Sequence, residues 1–174
     1  TTILGWQWDR GTIYPTSHRL NSLAVCETPT TVKGLRSWIG CYKFSSRVLP
    51  IYADVLHPLE EMCGGKQSAD KLVWSEDLKA AFELAKDHLK KAKPLVLPRV
   101  NDQMYIVTDA AINCAGLAAT LLIERDGKVR LAGYYSAALK KNQAKLLPCE
   151  MEALAIGCSI KHFSFYISQS QKRT

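Results

Sequence analysis

The sequence lacks a long apolar run. None approaches the roughly 18 residues that a membrane-spanning helix needs, and the first residues show no signal-peptide pattern. The chain also lacks an initial methionine, since it begins in strand-like sequence (TTILGWQW) and ends on a polar, basic run (SQSQKRT). We therefore expect an intracellular piece of a longer protein, with no membrane partner.

A Cys-x-x-Cys pair is also absent. The six cysteines are scattered, and most lie among apolar neighbours, where a free cysteine behaves as a small hydrophobe. In a chain of this length, scattered cysteines favour a reducing compartment over a disulfide framework. A structural zinc site is not expected.

Positive charge is in excess. The chain has 23 Lys and Arg against 16 Asp and Glu, a formal net charge of +7 and a pI near 9.1. Binding of Lys and Arg to phosphates releases counterions and is therefore favourable, so the charge indicates a polyanionic partner. A basic surface that serves only solubility explains it equally well.

One long helix is predicted to begin at Thr30 or Thr31 and to end at Pro50. Its apolar stripe consists of Leu35, Trp38, Ile39 and Tyr42. Its other side carries Lys33, Arg36, Gly40, Lys43, Phe44 and Arg47. A solvated basic face explains the cations, but it does not explain an exposed phenylalanine or a mid-helix glycine, which costs about 1 kcal/mol relative to alanine. Close approach of a sugar–phosphate backbone explains both, and the two interpretations stay open.

The residues before this helix form shorter elements. Residues 2–8 and 12–14 are predicted as two strands around a turn at Asp9-Arg10-Gly11. The stretch from Pro15 to Thr28 is predicted as a short strand or a loop.

Two more helices and then strands are predicted after it. The helices cover residues 51–62 and the stretch that follows the N-cap Ser75, and Pro94 to Asp102 is predicted as a link out of this helical unit. The strands are MYIVTD, AGLAATLLIER and KVRLAGYYS, the last two joined by a hairpin at Asp126-Gly127. A helix over residues 148–167 follows.

Two acids in this second part suggest a metal site. Asp109 ends an apolar strand, and Glu152 lies near the start of the last helix, whereas Glu150 falls on the far side of that helix. On a helical wheel Glu152 shares its arc with Ala155, Ile156, Ile160 and Phe163. A strand-end cap and a first-turn acid are the ordinary alternatives for Asp109 and Glu152.

Four blocks resemble a known family when taken in order. They are TPTTVKGLRSWIGCYKFSSRVLPIYADVLHPLEEM, KLVWSEDLKAAFELAKDHLKKAKPLVLP, YIVTDAAINCAGLAATL and CEMEALAIGCSIKHF. Their order and spacing are similar to those in the Pol polyproteins of Ty3/Gypsy-type LTR retrotransposons. The resemblance implies the end of a reverse transcriptase palm over residues 1–28, a mainly helical thumb-like unit over 29–98, and the first half of a ribonuclease H-like α/β domain over 99–174.

The resemblance also assigns roles. It implies that Leu4 and Gly5 lie near the primer end and that Arg36, Gly40 and Phe44 follow the minor groove of the template–primer. It further implies that Asp109 and Glu152 are catalytic carboxylates that hold two Mg²⁺ ions, roughly 4 Å apart, with Mn²⁺ as an alternative. The expected partners are RNA–DNA hybrid, double-stranded template–primer and the remainder of the Pol polyprotein, in the cytoplasm within a virus-like particle or in the nucleus.

The chain departs from the family pattern in its acids. The third ribonuclease H acid of the family would lie just beyond residue 174, and the polymerase aspartates would precede Thr1. We therefore expect the chain alone to be inactive. The competing hypotheses are a non-catalytic nucleic-acid-binding or protein-interaction module, and one chain of a larger assembly in which a partner completes the sheet edge.

Overall fold

A computed structural model describes residues 1–111, 116–139 and 146–172. The first antiparallel sheet contains β1 (Thr2–Ile3), β2 (Trp6–Asp9), β3 (Thr12–Pro15) and β4 (Leu95–Val96), in that order. The second contains β5 (Gln103–Ala111), β6 (Gly116–Arg125) and β7 (Lys128–Ala138), also in order. The α-helices are α1 (Ser17–Ala24), α2 (Val32–Phe44), α3 (Tyr52–Cys63), α4 (Glu76–His88) and α5 (Pro148–Gln169). The predicted α+β fold class is confirmed.

Two tight hairpins form the N-terminus. The predicted turn at Asp9-Arg10-Gly11 is confirmed, with Arg10 at φ 44° and Gly11 at φ 80°. The prediction of one continuous strand over residues 2–8 is wrong. Leu4 (φ 52°) and Gly5 (φ 81°) form a second turn of the same kind, which divides this stretch into β1 and β2. A leucine seldom adopts a positive φ, so the sequence pattern concealed this turn.

Helix α1 lies where a strand or loop was predicted. Only Leu20 and Leu23 are buried in this eight-residue helix, so its own apolar pattern is weak. The indole Nε1 of Trp38 donates to the carbonyl of Leu23 at 3.2 Å. Tertiary contacts therefore stabilise α1, as expected for a helix too short to be stable alone.

The helical unit α2–α4 follows the predicted pattern, except that α2 ends at Phe44 and not at Pro50, so that Arg47 lies on a separate 3-10 helix. The hydroxyls of Thr31 and Ser75 cap α2 and α4 by accepting from the third backbone amide beyond them. The predicted stripe of α2 is buried, and Trp38 packs on Phe82 of α4 with ring centroids 4.7 Å apart. Two 3-10 helices, Ser46–Val48 and Leu89–Lys91, extend this unit. None of the described helices combines the length and apolarity needed to cross a membrane.

The predicted link over residues 94–102 contains strand β4, which pairs with β3. The link is also held to the second sheet, because Arg125 donates through Nε and Nη2 to both carboxylate oxygens of Asp102, at 2.8 and 2.6 Å, and through Nη2 to the carbonyl of Leu97. The side chains of Asp102 and Arg125 are only 4% and 12% exposed. The link is thus an ordered junction.

The second sheet confirms the three predicted strands, and Asp126 and Gly127 form the predicted turn with φ values of 55° and 69°. Ala115, the predicted start of β6, and Cys114 lie outside the described residues. Helix α5 packs on one face of the sheet, where Phe163 joins a cluster with Met104, Leu121 and Ile123. Within the described residues, β5 pairs only with β6, so its other edge carries no strand.

Candidate functional site

The tip of the first hairpin is fixed against the end of α2. Leu4 is 86% exposed at this tip. The guanidinium of Arg19 donates to the carbonyl of Leu4 at 3.3 Å and lies 3.7 Å above the ring of Phe44. The Trp6 ring packs on the same phenylalanine, with centroids 5.1 Å apart. Gly5 has a φ of 81°, which favours glycine, and a Cβ at this position would require the Arg19 guanidinium to move.

The outward face of α2 is open at its centre. Gly40 is exposed, and a Cβ built on it would meet no atom within 4 Å. Lys33, two turns earlier, is exposed as well. No packing contact among the described residues therefore requires a glycine at this position.

Two of the predicted nucleic-acid-binding cations have partners inside the chain. Arg36 donates through Nη2 to the carbonyls of Cys63 and Lys66, at 3.0 and 2.9 Å, and so holds the C-terminal end of α3. Lys43 forms an ion pair with Glu60. Neither contact was foreseeable from the sequence, because the partners lie on a different helix.

Lys43, Phe44 and Arg47 also line a groove beside the end of α2. Its cavity of about 450 Å³ is lined in addition by Trp6 and Trp8 of β2 and Tyr166 of α5, among others. The sequence interpretation missed these three aromatic residues. Their alternation on a short strand and their position at the end of a helix resemble ordinary core, and no spacing marks them as one site.

The two predicted metal-binding carboxylates lie on elements that pack together. Asp109 is exposed in β5 opposite Ala118, on the face that also carries the exposed Tyr105 and Val107. Glu152 is exposed in the second turn of α5. Its predicted inward position is wrong, because the buried stripe of α5 consists of Met151, Ala155, Ser159 and Phe163, and Ile156 and Ile160 lie beside it at 49% exposure.

Glu150 is an acid in the first turn of α5 with a local structural role. Such a role was the ordinary alternative to metal binding for Glu152. The Glu150 carboxylate accepts from the backbone amide of Leu147 at 2.8 Å and caps the start of α5. Glu152 has no such contact within the described residues and is accessible. This difference makes Glu152 the better ligand candidate of the two.

A third carboxylate, missed in the sequence, lies near this end of the sheet. One oxygen of Asp54, at the start of α3, lies 2.8 Å from where a Cβ on Gly116 would stand, and Gly116 pairs with Ala111. The pKa of Asp54 is raised, because the effect of burial outweighs the opposite effect of the nearby His57. Among the described residues, however, no three acidic, histidine or cysteine side chains lie close enough together to hold a metal ion.

Two accessible carboxylates nevertheless fit a magnesium site that is completed from outside. Mg²⁺ prefers oxygen ligands, keeps several waters, and is commonly bound through one or two carboxylates together with substrate phosphates. Asp109 and Glu152 supply such oxygens, but Asp109 lies on the face of β5 opposite to the one that α5 covers, since Met104 and Ile106 are the residues that face α5. The donor set is thus compatible with Mg²⁺ but does not by itself form a closed site.

The second part of the chain matches a protein-family model. A family model for the RNase H-like domain found in reverse transcriptase matches residues 74–174. The matched region therefore includes α4, the link and the whole second sheet with α5.

Similar proteins are viral and transposon polyproteins. The chain is 26% identical over 166 residues to the genome polyprotein of Petunia vein clearing virus, 27% identical over 173 residues to the enzymatic polyprotein of Carnation etched ring virus, and 23% identical over 169 residues to the Tf2-3 transposon polyprotein of Schizosaccharomyces pombe. Between 95% and 97% of the chain is covered, but only 7%, 25% and 12% of the respective relatives.

Similar solved structures include foamy viral protease–reverse transcriptase. Its complex with an RNA/DNA hybrid matches with a TM-score of 0.82 at 16% identity, over 95% of this chain and 22% of that chain. Its complex with double-stranded DNA matches with a TM-score of 0.81 at 17% identity, over 96% of this chain and 34% of that one. At these identities the comparison establishes the fold.

Proposed function

Because the chain belongs to the family of RNase H-like domains found in reverse transcriptases, we propose that it binds template–primer and RNA–DNA hybrid along α2 and contributes two carboxylates to hybrid hydrolysis. The predicted resemblance to the Pol polyproteins of Ty3/Gypsy-type retrotransposons is confirmed by the family match and by the viral and transposon relatives. The foamy viral structures that share the fold are complexes with hybrid and with double-stranded DNA, which supports nucleic acid as the partner.

The exposed Gly40 is the observation that carries the binding proposal. An alanine there would have open space and would stabilise the helix by about 1 kcal/mol. A ligand that comes close to the helix backbone explains why glycine is present. Lys33 on the same face and the fixed hairpin tip at Leu4 and Gly5 then contact the duplex on either side, and the net charge of +7 attracts it.

Arg36 takes part in this surface while it holds α3. Its Nη2 is engaged with two backbone carbonyls, and a guanidinium has further donors on Nη1 and Nε. Phe44, Lys43 and Arg47 lie where the outward face of α2 ends. They would contact the duplex or a strand that leaves it.

Asp109 and Glu152 would hold the divalent ions. When bound, Mg²⁺ in such a site lowers the pKa of the attacking water and stabilises the charge that develops on the leaving oxygen. The carboxylates themselves bind and orient, and their exposure leaves room for a phosphate to supply the remaining ligands.

The test is Mg²⁺-dependent cleavage of a labelled RNA–DNA hybrid, by this chain and by a longer polypeptide that contains it. We expect cleavage by the longer polypeptide, and its loss in Asp109→Asn and in Glu152→Gln. Glu150→Gln is the matched control, because Glu150 caps α5, and it should retain cleavage. Full activity in Asp109→Asn or Glu152→Gln would exclude that residue as a ligand.

A non-catalytic binding module is the second candidate. It is favoured by the absence, within the described residues, of a group of three possible metal ligands. A longer polypeptide that binds hybrid tightly but never cuts it, with Mg²⁺ or with Mn²⁺, would establish this alternative.

A further inference from the structure

The groove beside the end of α2 connects several parts of the chain. We define the aromatic–basic groove by Trp6, Trp8, Lys43, Phe44, Arg47 and Tyr166. Its cavity of about 450 Å³ adjoins a second one of about 260 Å³, and Arg47, Ile13 and Tyr166 line both. The groove therefore continues from the first sheet, past Arg47, to α5 and β7.

The groove is basic and has no acidic lining. Lys43 and Arg47 line the larger cavity, Arg47 and His162 line the smaller one, and no Asp or Glu is among the described residues that line either. Lys43 is paired with Glu60, but Arg47 has no hydrogen bond or ion pair with the part of the chain that the structure describes. Burial and the Arg47 charge lower the pKa of His162. An exposed guanidinium in these surroundings is well suited to bind an anion.

Aromatic side chains line the same cavity as this cation. Trp8 is 40% exposed and makes no ring contact among the described residues, and Tyr166 lines the same cavity. Indole and phenol faces stack on nucleobases of any sequence, whereas the base faces of a duplex are covered by their own neighbours. Aromatic rings beside an Arg thus match a single strand better than a duplex.

We propose that the aromatic–basic groove binds a single-stranded segment of nucleic acid, with a phosphate on Arg47 and a base stacked on Trp8. The groove begins where the outward face of α2 ends, so a strand that leaves a duplex on α2 can enter it. The proposal does not require duplex binding, because a single strand can be tested alone. It adds single-stranded nucleic acid to the ligands of the chain.

The experiment is fluorescence anisotropy with a labelled thymidine oligonucleotide of about 12 nucleotides, across a salt series. Trp8→Thr removes the ring and keeps a residue suited to a strand. We expect it to weaken binding about five-fold or more, as loss of a stacked base does. Arg47→Gln removes one cation without breaking a described hydrogen bond or ion pair. It should weaken binding and reduce the salt slope by about 0.7, the value for one phosphate of a single strand.

Matched controls lie elsewhere on the chain. Tyr105 is an exposed aromatic residue on strand β5, at 44% exposure, and Lys128 is an exposed cation on β7. Tyr105→Thr and Lys128→Gln should bind the oligonucleotide as the wild type does. Circular dichroism and thermal unfolding confirm that each variant is folded.

Three results would overturn the proposal. The first is wild-type oligonucleotide binding in both Trp8→Thr and Arg47→Gln, and the second is equal losses in the two controls. The third is a glutamate-rich peptide that binds more tightly than the oligonucleotide and depends on Trp8, since the groove would then bind an acidic protein segment. Failure here with intact duplex binding on α2 would leave the function proposed above standing.

Discussion

Replacing Gly40 by alanine should make the chain more stable and a poorer ligand for duplexes. Gly40 lies inside α2, and the added methyl group would meet no described atom within 4 Å. Alanine in a helix interior is favoured over glycine by about 1 kcal/mol. For a chain of this size that gain corresponds to a rise in Tm of about 2–4 °C.

The expected loss of affinity follows from the same methyl group. If a sugar–phosphate backbone contacts the helix at Gly40, the methyl overpacks that contact, at a cost of about 1–3 kcal/mol by analogy with protein cores. The affinity for RNA–DNA hybrid should then fall about five-fold or more. The assay is hybrid binding by anisotropy, together with thermal unfolding of the same preparations.

Gly157 provides a matched control. It is also exposed inside a helix, α5, and an added Cβ would likewise meet no described atom within 4 Å. Gly157→Ala should raise Tm by a similar amount and leave hybrid affinity unchanged. If Gly40→Ala is stabilised and binds hybrid as tightly as the wild type, no nucleic-acid backbone comes close to α2 at Gly40. The reasoning from Gly40 is then refuted.

Two further predictions concern stability. Arg125→Ala should lower the free energy of unfolding by about 3 kcal/mol, measured by urea denaturation, because it leaves the carboxylate of Asp102 buried without its partner. The free energy of unfolding should also fall as the pH drops below about 6.5, because burial lowers the pKa of His88, beside Tyr42, and of His162. As the pH falls, the two histidines are protonated in the unfolded chain before they are protonated in the folded chain. The free energy of unfolding therefore decreases from about pH 6.5 down to the lower pKa values that the two histidines have in the folded chain.

Each of these predictions has a control. Asp87→Asn breaks an exposed ion pair with Lys90 and should change stability little, since exposed pairs contribute little. His88→Gln should flatten the pH dependence, whereas His18→Gln, at an exposed position without an ion pair among the described residues, should not. Equal urea midpoints for Arg125→Ala and wild type, or an unchanged pH profile in His88→Gln, would contradict the structural account.

Locally encoded features were predictable from the sequence. The apolar stripe of α2 and its Thr31 cap, the cap at Ser75 and the Asp126-Gly127 hairpin all depend on residues within a few positions of one another. Helical periodicity and turn chemistry are local properties, so these predictions are confirmed.

Features that depend on distant partners were not predictable. Helix α1 is stabilised by Trp38, and β4 is two residues long and exists as a strand because it pairs with β3. The turn at Leu4 requires a positive φ at a residue that seldom adopts one. In each case contacts across the fold outweigh the local preference.

The candidate site also contains residues that the sequence identified and contacts that only the fold shows. Gly40 was recognised because a mid-helix glycine is costly wherever it occurs. The contact of Arg36 with the end of α3 and the aromatic ring of Trp8 beside Arg47 join elements that are far apart in sequence. No periodicity within one helix or strand reports such a contact, so these parts of the site appear only in the folded chain.

The central claim is that this chain binds nucleic-acid duplexes through its basic surface. The most direct measurement is binding of labelled RNA–DNA hybrid and of double-stranded DNA across a salt series of about 50–200 mM. Lys33→Gln is a cleaner test than Arg36→Ala, because Arg36 also holds α3. We predict that both duplexes bind, that affinity falls steeply with salt, and that Lys33→Gln reduces the slope by about one phosphate contact. If neither duplex binds, or if affinity does not change with salt, the claim is contradicted.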